Sequence, residues 1–154
     1  MIRAATVSDV PAIYSMLRES AIDQNGLEHL CVDEGRLRQD GFGASPRFWV
    51  LIAEEAGKPI GLALYFFIYS TWSSRIGLYL EDLYVAPEFR RRGIGRALMR
   101  QLARVALENG GNGMIWLVFR DNPAVKLYER VGAEEMENTM PMRVLGDALK
   151  ELAG

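Results

Sequence analysis

The densest chemistry in this chain lies in the run Tyr84-Val85-Ala86-Pro87-Glu88-Phe89-Arg90-Arg91-Arg92-Gly93-Ile94-Gly95-Arg96. A strand-like apolar stretch ends at a proline, an arginine-rich turn punctuated by glycines follows, and an amphipathic helix begins. This order builds an anion cradle. Backbone N–H groups in a turn and at a helix N-terminus point outward unpaired and attract phosphate oxygens. Gly93 and Gly95 let the backbone approach a pyrophosphate without a Cβ in the way. Arg90, Arg91, Arg92 and Arg96 add guanidinium groups that match phosphate geometry. Two other glycine loops do not fit. No lysine follows the glycines, as a Walker loop requires, and Arg96-Ala97-Leu98 supplies no third glycine for a dinucleotide fingerprint. The pattern that fits is Arg-x-x-Gly-x-Gly, read as Arg90, Gly93 and Gly95. The arginines alone would suit a solvated basic turn equally well; the paired glycines and the strand before them would not.

The cradle needs a strand before it and a helix after it, and the hydrophobic pattern supplies both. Ile60 to Tyr69 and Ile76 to Val85 read as long strands rich in aromatic and aliphatic residues. Ala97 to Leu107 reads as a helix that buries Leu98, Leu102, Val105 and Ala106 and is ended by Gly110 and Gly111. Upstream, Ile2 to Ala5 predicts a short strand, Thr6 and Asp9 a capping box, and Val10, Ile13, Tyr14 and Leu17 one helical face. A second helix is expected from about Asp33 to Asp40, stopped by Gly41. Phe48 to Ala53 reads as a strand, turned by Glu54 to Pro59. Downstream, Met114 to Phe119 reads as a buried strand, and Asn122-Pro123 opens a helix that ends near Gly132. A last strand around Met140 to Val144 precedes a short C-terminal helix. With no repeat or linker, residues 1–154 read as one domain. Its class is α+β, a layered α/β arrangement with helices between the strands of a mixed sheet.

Composition narrows the partners. A chain of 154 residues can bury a good core, and 49% apolar with 25% charged residues is ordinary for a soluble domain. A net charge of −2 argues against a nucleic-acid partner. Cys31, the single cysteine, excludes an intrachain disulfide framework and suits a reducing, cytoplasmic setting. The N-terminus carries no signal-like apolar stretch, and the longest apolar run, Ile60 to Tyr69, contains Gly61 and is too short to cross a membrane as a helix. His29 is the only histidine and has no ligand cluster beside it, so no metal is expected.

The loop from Arg90 to Gly95, set between a Val-x-Pro strand end and an amphipathic helix, resembles the acyl-CoA pyrophosphate loop of the GNAT superfamily of N-acetyltransferases. Asp121-Asn122-Pro123-Ala124-Val125-Lys126-Leu127-Tyr128-Glu129-Arg130-Val131-Gly132 is similar to the helix that leans over the acyl-CoA thiol there. The superfamily's usual Asn position holds Asp121, and Asn122 lies one residue later. The segments Asp40-Gly41-Phe42-Gly43, Tyr65 to Trp72 and Leu78 to Val85 look like the diamine (spermidine/spermine) acetyltransferase group and its thialysine-acetylating relatives. The similarity runs from Ile2 to Ala133. The tryptophan that this group commonly carries near its final strand is missing between Asn138 and Met142.

The resemblance implies a mixed, mostly antiparallel central sheet flanked by helices, acetyl-CoA as co-substrate, a small amine acceptor and a homodimer. It implies cofactor contacts from Leu83, Tyr84, Val85, Arg90, Arg91, Arg92, Gly93, Ile94, Gly95, Arg96, Asn122 and Lys126. Leu83 would offer a backbone N–H to the thioester carbonyl, in the manner of an oxyanion hole. Tyr128 falls where many members keep a general acid for the leaving thiolate. Read alone, it is equally a helix tyrosine packing its ring on a sheet. An alkyl ammonium, with a pKa of about 10.4, must lose a proton before it can attack. Glu81 is the expected base or water-relay carboxylate and Asp82 the amine-binding or supporting group, with the roles open to exchange. Neighbouring strand residues face opposite ways, so both reach one substrate only if the strand bulges there. Without a bulge, one is an exposed acid and the other a buried structural one. Gln24 and Glu28, between the first two helices, border the acceptor pocket in the resembling group. Trp72 offers an aromatic face to an alkyl chain or cation. Two rivals remain at this point: the same chemistry on an amino acid, antibiotic or protein amine, and a non-catalytic acyl-CoA-binding module.

Overall fold

The computed structural model describes residues 1–154. Five strands form one sheet in chain order: β1 (Ile2–Ala4), β2 (Trp49–Glu55), β3 (Lys58–Ser70), β4 (Arg75–Val85) and β5 (Met114–Ile115). The first four pair antiparallel, and β5 runs parallel to β4. Helices α1 (Val10–Asp23) and α2 (Glu34–Phe42) precede the long hairpin, α3 (Ile94–Glu108) follows β4, and α4 (Val125–Arg130) and α5 (Gly146–Ala153) close the chain.

Alternation along the strands divides the core into two layers. Leu51, Ala63, Tyr65, Leu78 and Leu80 pack with Leu98, Met99, Leu102 and Ala106 of α3. Val50, Ile52, Leu62, Leu64 and Tyr84 pack with Val10, Ile13, Met16 and Leu17 of α1 and Leu37 of α2. One polar strap ties the first strand to the first helix. Asp9, buried at the start of α1, accepts two hydrogen bonds of 2.8 Å from Arg3, whose Nε reaches Glu54 at 2.7 Å. The Arg3 bonds hold the Asp9 carboxyl well below the usual carboxylate range, against the opposing effect of burial. Asp9 also accepts from the Thr6 backbone N–H at 2.7 Å, closing the capping box read from the sequence around a 3-10 turn, Val7–Asp9.

Several expected boundaries move. Gly41 lies inside α2, buried, where an added Cβ would meet the Phe48 ring at 2.6 Å; Gly43 ends that helix instead. Helix α3 starts at Ile94, and Val105 is only half-buried. The strand expected from Met114 to Phe119 pairs only at Met114 and Ile115. Its other edge has no partner, and a strand without a ladder on either side does not persist. The strand expected at Met140 to Val144 is absent for the same reason: residues 134–145 run exposed, outside the sheet.

The β3–β4 pairing is close where it approaches the glycine loop. A Cβ at Gly61 would meet the Tyr84 carbonyl oxygen at 2.8 Å. Gly61→Ala is expected to cost about 1–3 kcal/mol, as overpacked sites do. Urea unfolding checks this, and an unchanged midpoint contradicts it.

Candidate active site

The site begins with one extra residue. Leu64 of β3 faces Asp82 of β4, but the next residue, Tyr65, faces Leu80, so Glu81 has no partner across the ladder. This is a β-bulge. Its effect shows in the packing. Before it, Leu78 and Leu80 face the α3 layer; after it, Leu83 and Val85 face that layer while Tyr84 faces α1. Even-numbered side chains change sides between Leu80 and Tyr84, so Glu81 and Asp82 both project on the face that carries α1 and α2. The condition for the two carboxylates to act together is met. Glu81 is exposed and Asp82 half-buried. Burial, then the adjacent Glu81 charge, pushes the Asp82 carboxyl up to about 6.

The bulge also aims the backbone. The Ala86 N–H donates to the Ile60 carbonyl across the β3 side at 2.9 Å. Strand N–H groups alternate in direction, so those of Leu83 and Val85 point the other way. No strand lies there, because β5 pairs only with Leu78 and Tyr79. The edge of β4 from Leu83 onward is therefore open, with a free donor where the sequence placed the thioester carbonyl's partner.

The loop after β4 turns through left-handed backbone at Arg91 (φ 60°) and Gly93 (φ 82°). Gly93 precedes α3, and a Cβ there would meet nothing within 4 Å. Gly95 has a different role from the one read in the sequence. A Cβ there would come within 3.0 Å of Leu127, so this glycine lets α3 press against α4. That contact carries the Tyr128 helix to the loop. Tyr128 packs on the α3 layer with Leu83, Val85, Ile94 and Trp116, its ring 4.9 Å from that of Trp116. Burial raises its phenol above the ordinary value. Its hydroxyl has no hydrogen-bond partner in the chain and is not sealed from solvent.

The arginines divide into two kinds. Arg90 pairs with Asp23, donates from Nε to the Val85 carbonyl at 2.7 Å and lies over the Tyr84 ring. Arg92 pairs with Glu55 at 2.6 Å and lies over Phe89. Arg91 and Arg96 are exposed and hold no acidic partner, as does Lys126 on α4. Asn122 accepts from the Ala124 N–H at 2.9 Å, a turn that launches α4. The bulge, open edge, loop and Tyr128 thus form one group. Gln24, at the end of α1, spends its amide on Ser20, and Glu28 stands exposed 3.6 Å from His29. Trp72 is fully exposed at the tip of the β3–β4 hairpin, roughly 20 Å from the bulge at 3.3 Å per strand residue; it is not brought to the group. Sequence reasoning missed Glu19, which accepts the Tyr84 hydroxyl proton at 2.6 Å. Nothing local in the sequence marks it.

Free strand-edge donors, a glycine turn opening a helix and unpaired cations define a protein that receives an acyl-CoA thioester. The chain belongs to the GNAT family of acetyltransferases, whose model matches residues 10–133. It is an N-acetyltransferase. It is 40% identical to a thialysine N-epsilon-acetyltransferase of Sus scrofa over 166 aligned positions, covering 100% of this chain and 97% of that protein. The Mus musculus protein of the same name is 39% identical, covering 99% and 96%. The human spermidine/spermine N(1)-acetyltransferase-like protein 1 is 34% identical over 89% of this chain, which spans 21% of that protein. Among solved structures, an integron cassette protein from the V. cholerae mobile metagenome is similar with a TM-score of 0.79 at 25% identity, covering 99% of this chain and 96% of that one. An aminoglycoside acetyltransferase from a soil metagenome shares the fold with a TM-score of 0.77 at 19% identity, covering 94% and 96%.

The raised Asp82 carboxyl has a thermodynamic consequence. Between its ordinary value of 3.8 and about 6 the folded chain binds the proton more tightly than the unfolded chain. This group's contribution to stability therefore falls as pH rises through that window. Asp82→Asn removes the penalty, so its melting temperature should gain more over wild type at pH 8 than at pH 4.5. Equal differences at both pH values contradict the burial argument.

Proposed function

We propose that this protein transfers the acetyl group of acetyl-CoA to a primary amine of a small cationic acceptor, a thialysine- or lysine-like compound or a polyamine, by direct attack in a ternary complex. The observation that carries this is the placing of Glu81 and Asp82 on one face beside an open strand edge. Two acids there attract an ammonium ion and can take its proton. The relatives' names, thialysine and spermidine/spermine acetyltransferases, support the acceptor class.

The residues fit the co-substrate. The Leu83 and Val85 N–H groups are free at the edge, Gly93 leaves open space, and Arg91 and Arg96 are unpaired cations. Acetyl-CoA supplies an activated acetyl group as a thioester. In this reading Asp82 holds the ammonium and Glu81 relays its proton to water. The Leu83 N–H donates to the thioester oxygen as negative charge builds on it. Tyr128, on the opposite face, protonates the departing thiolate. The sheet is continuous elsewhere, so the two faces meet past the open edge of β4. Gln24 and Glu28 follow α1 on the acceptor side and would hold the distal end of a long dication. Arg91 and Arg96 would neutralise phosphate charge, with Lys126 beside them.

A homodimer in the cytoplasm completes the proposal. Residues 134–154 include exposed Met136, Met140, Met142, Val144, Leu145, Leu149 and Leu152, an apolar set that a second copy would cover. The lone Cys31 suits a reducing compartment.

The test is CoA thiol release with spermidine, spermine, putrescine, thialysine, lysine and a neutral-chain amine. Turnover on the cationic amines that falls at least about 100-fold in Tyr128→Phe, with acetyl-CoA still bound, is expected. Silence across the panel contradicts the reading. In kcat/KM against pH, Asp82 should set an acidic limb near 6, lost in Asp82→Asn and kept in Glu81→Gln. Sedimentation should give a dimer for the full chain and a monomer for a chain cut after Ala133; a monomeric full chain contradicts the dimer.

A further inference from the structure

The end of β4 and the start of the glycine loop are tied to one face of α1. Glu19 and Asp23 lie four residues apart, on the same side of that helix. Glu19 accepts the Tyr84 hydroxyl proton at 2.6 Å, and Asp23 pairs with the Arg90 guanidinium. Arg90 in turn donates from Nε to the Val85 carbonyl at 2.7 Å and lies 5.5 Å from the Tyr84 ring centroid. These contacts form a closed circuit through helix, strand end and loop. Tyr84 is 4% exposed, so its hydroxyl needs a partner, and Glu19 provides one across 65 residues of sequence. Arg90 opens the Arg-x-x-Gly-x-Gly motif, yet its fork is committed to Asp23 and Val85. Its place in this structure is that of a brace, and the free cations of the loop are Arg91 and Arg96.

What lies at the other end of α1 gives the circuit a use. The helix stops at Asp23, and Gln24, the left-handed Asn25 and the 3-10 turn Leu27–His29 follow directly. Asp23 therefore joins the acyl-CoA side to the segment that carries Gln24 and Glu28 on the acceptor side. We propose that Glu19 and Asp23 are positioning residues that make the glycine loop and the acceptor-side segment one mechanical unit, so that acyl-CoA and amine bind with positive coupling. This rests on the functional reading above. A ligand that orders the loop also orders the segment through Arg90, and the second ligand then binds with less ordering left to do. By linkage the effect is reciprocal.

The measurement is calorimetric binding of CoA alone and of CoA with saturating thialysine or spermidine, both dead-end mixtures. Wild type should bind CoA about five-fold more tightly, or more, with the amine present, the low end of common coupling factors. Glu19→Gln/Asp23→Asn should bring that ratio to near one and leave the affinity for CoA alone within about two-fold, because the loop N–H groups, Arg91 and Arg96 are untouched. A residue that only stabilised the fold would not move this ratio. Asp23→Glu, which keeps the carboxylate, should restore most of it. Tyr84→Phe removes only the hydroxyl and should lower it on its own if the double variant does not fold. A ratio near one in wild type, or a high ratio retained in the variants, overturns the inference while acetyl transfer stands. Wild type that binds no CoA overturns the functional reading and this inference together.

Discussion

A single unpaired residue, Glu81, sets the geometry on which the rest depends. A regular antiparallel ladder would put Asp82 on the same side as Leu80, inside the α3 layer, and Glu81 alone on the other. The extra residue reverses the alternation. It turns Asp82 and Tyr84 toward α1 and Leu83 and Val85 toward α3. It also directs two backbone N–H groups to the edge that β5 leaves uncovered after Tyr79. Charge for the acceptor, donors for the thioester and the packing of Tyr84 all follow from one insertion in the ladder.

The two faces of the sheet thereby take different tasks. The α3 face holds the cofactor machinery: the glycine turn, the first turn of α3, and α4 pressed against it at Gly95 and Leu127. The α1 face holds the acids and the segment after α1. The open β4 edge joins them. A site so divided keeps the proton donor, Tyr128, and the proton acceptors on opposite sides of the bond to be broken. The cost is an incomplete sheet. A two-residue β5 and an exposed C-terminal segment leave apolar surface uncovered within one chain.

Much of this is legible in the residues themselves, and the gaps have physical causes. The cradle is local: a strand end, a turn and a helix start lie within one short run, so its parts can be read in order. The same holds for the Tyr128 helix. Ion pairs are not local. Arg90 and Arg92 look identical to Arg91 in sequence, and only the fold shows that Asp23, 67 residues away, and Glu55, 37 away, have claimed them. Gly95 reads as room for a phosphate, but its neighbour in space is Leu127. The bulge is visible in sequence only as a requirement, because two adjacent acids must share a face. Its location depends on the register against β3. The strand expected around Met140 misleads because alternation records a side chain's preference and cannot supply a partner strand.

The account stands on where the two reactants meet. A crystal structure with CoA and a cationic amine bound together tests that most directly. The account predicts the amine nitrogen within hydrogen-bonding reach of Asp82 or Glu81 on the α1 face, and the CoA sulfur beside Tyr128, with the open edge of β4 between them. An amine seated on the α3 face, or a CoA chain that avoids Leu83 and Val85, would contradict it.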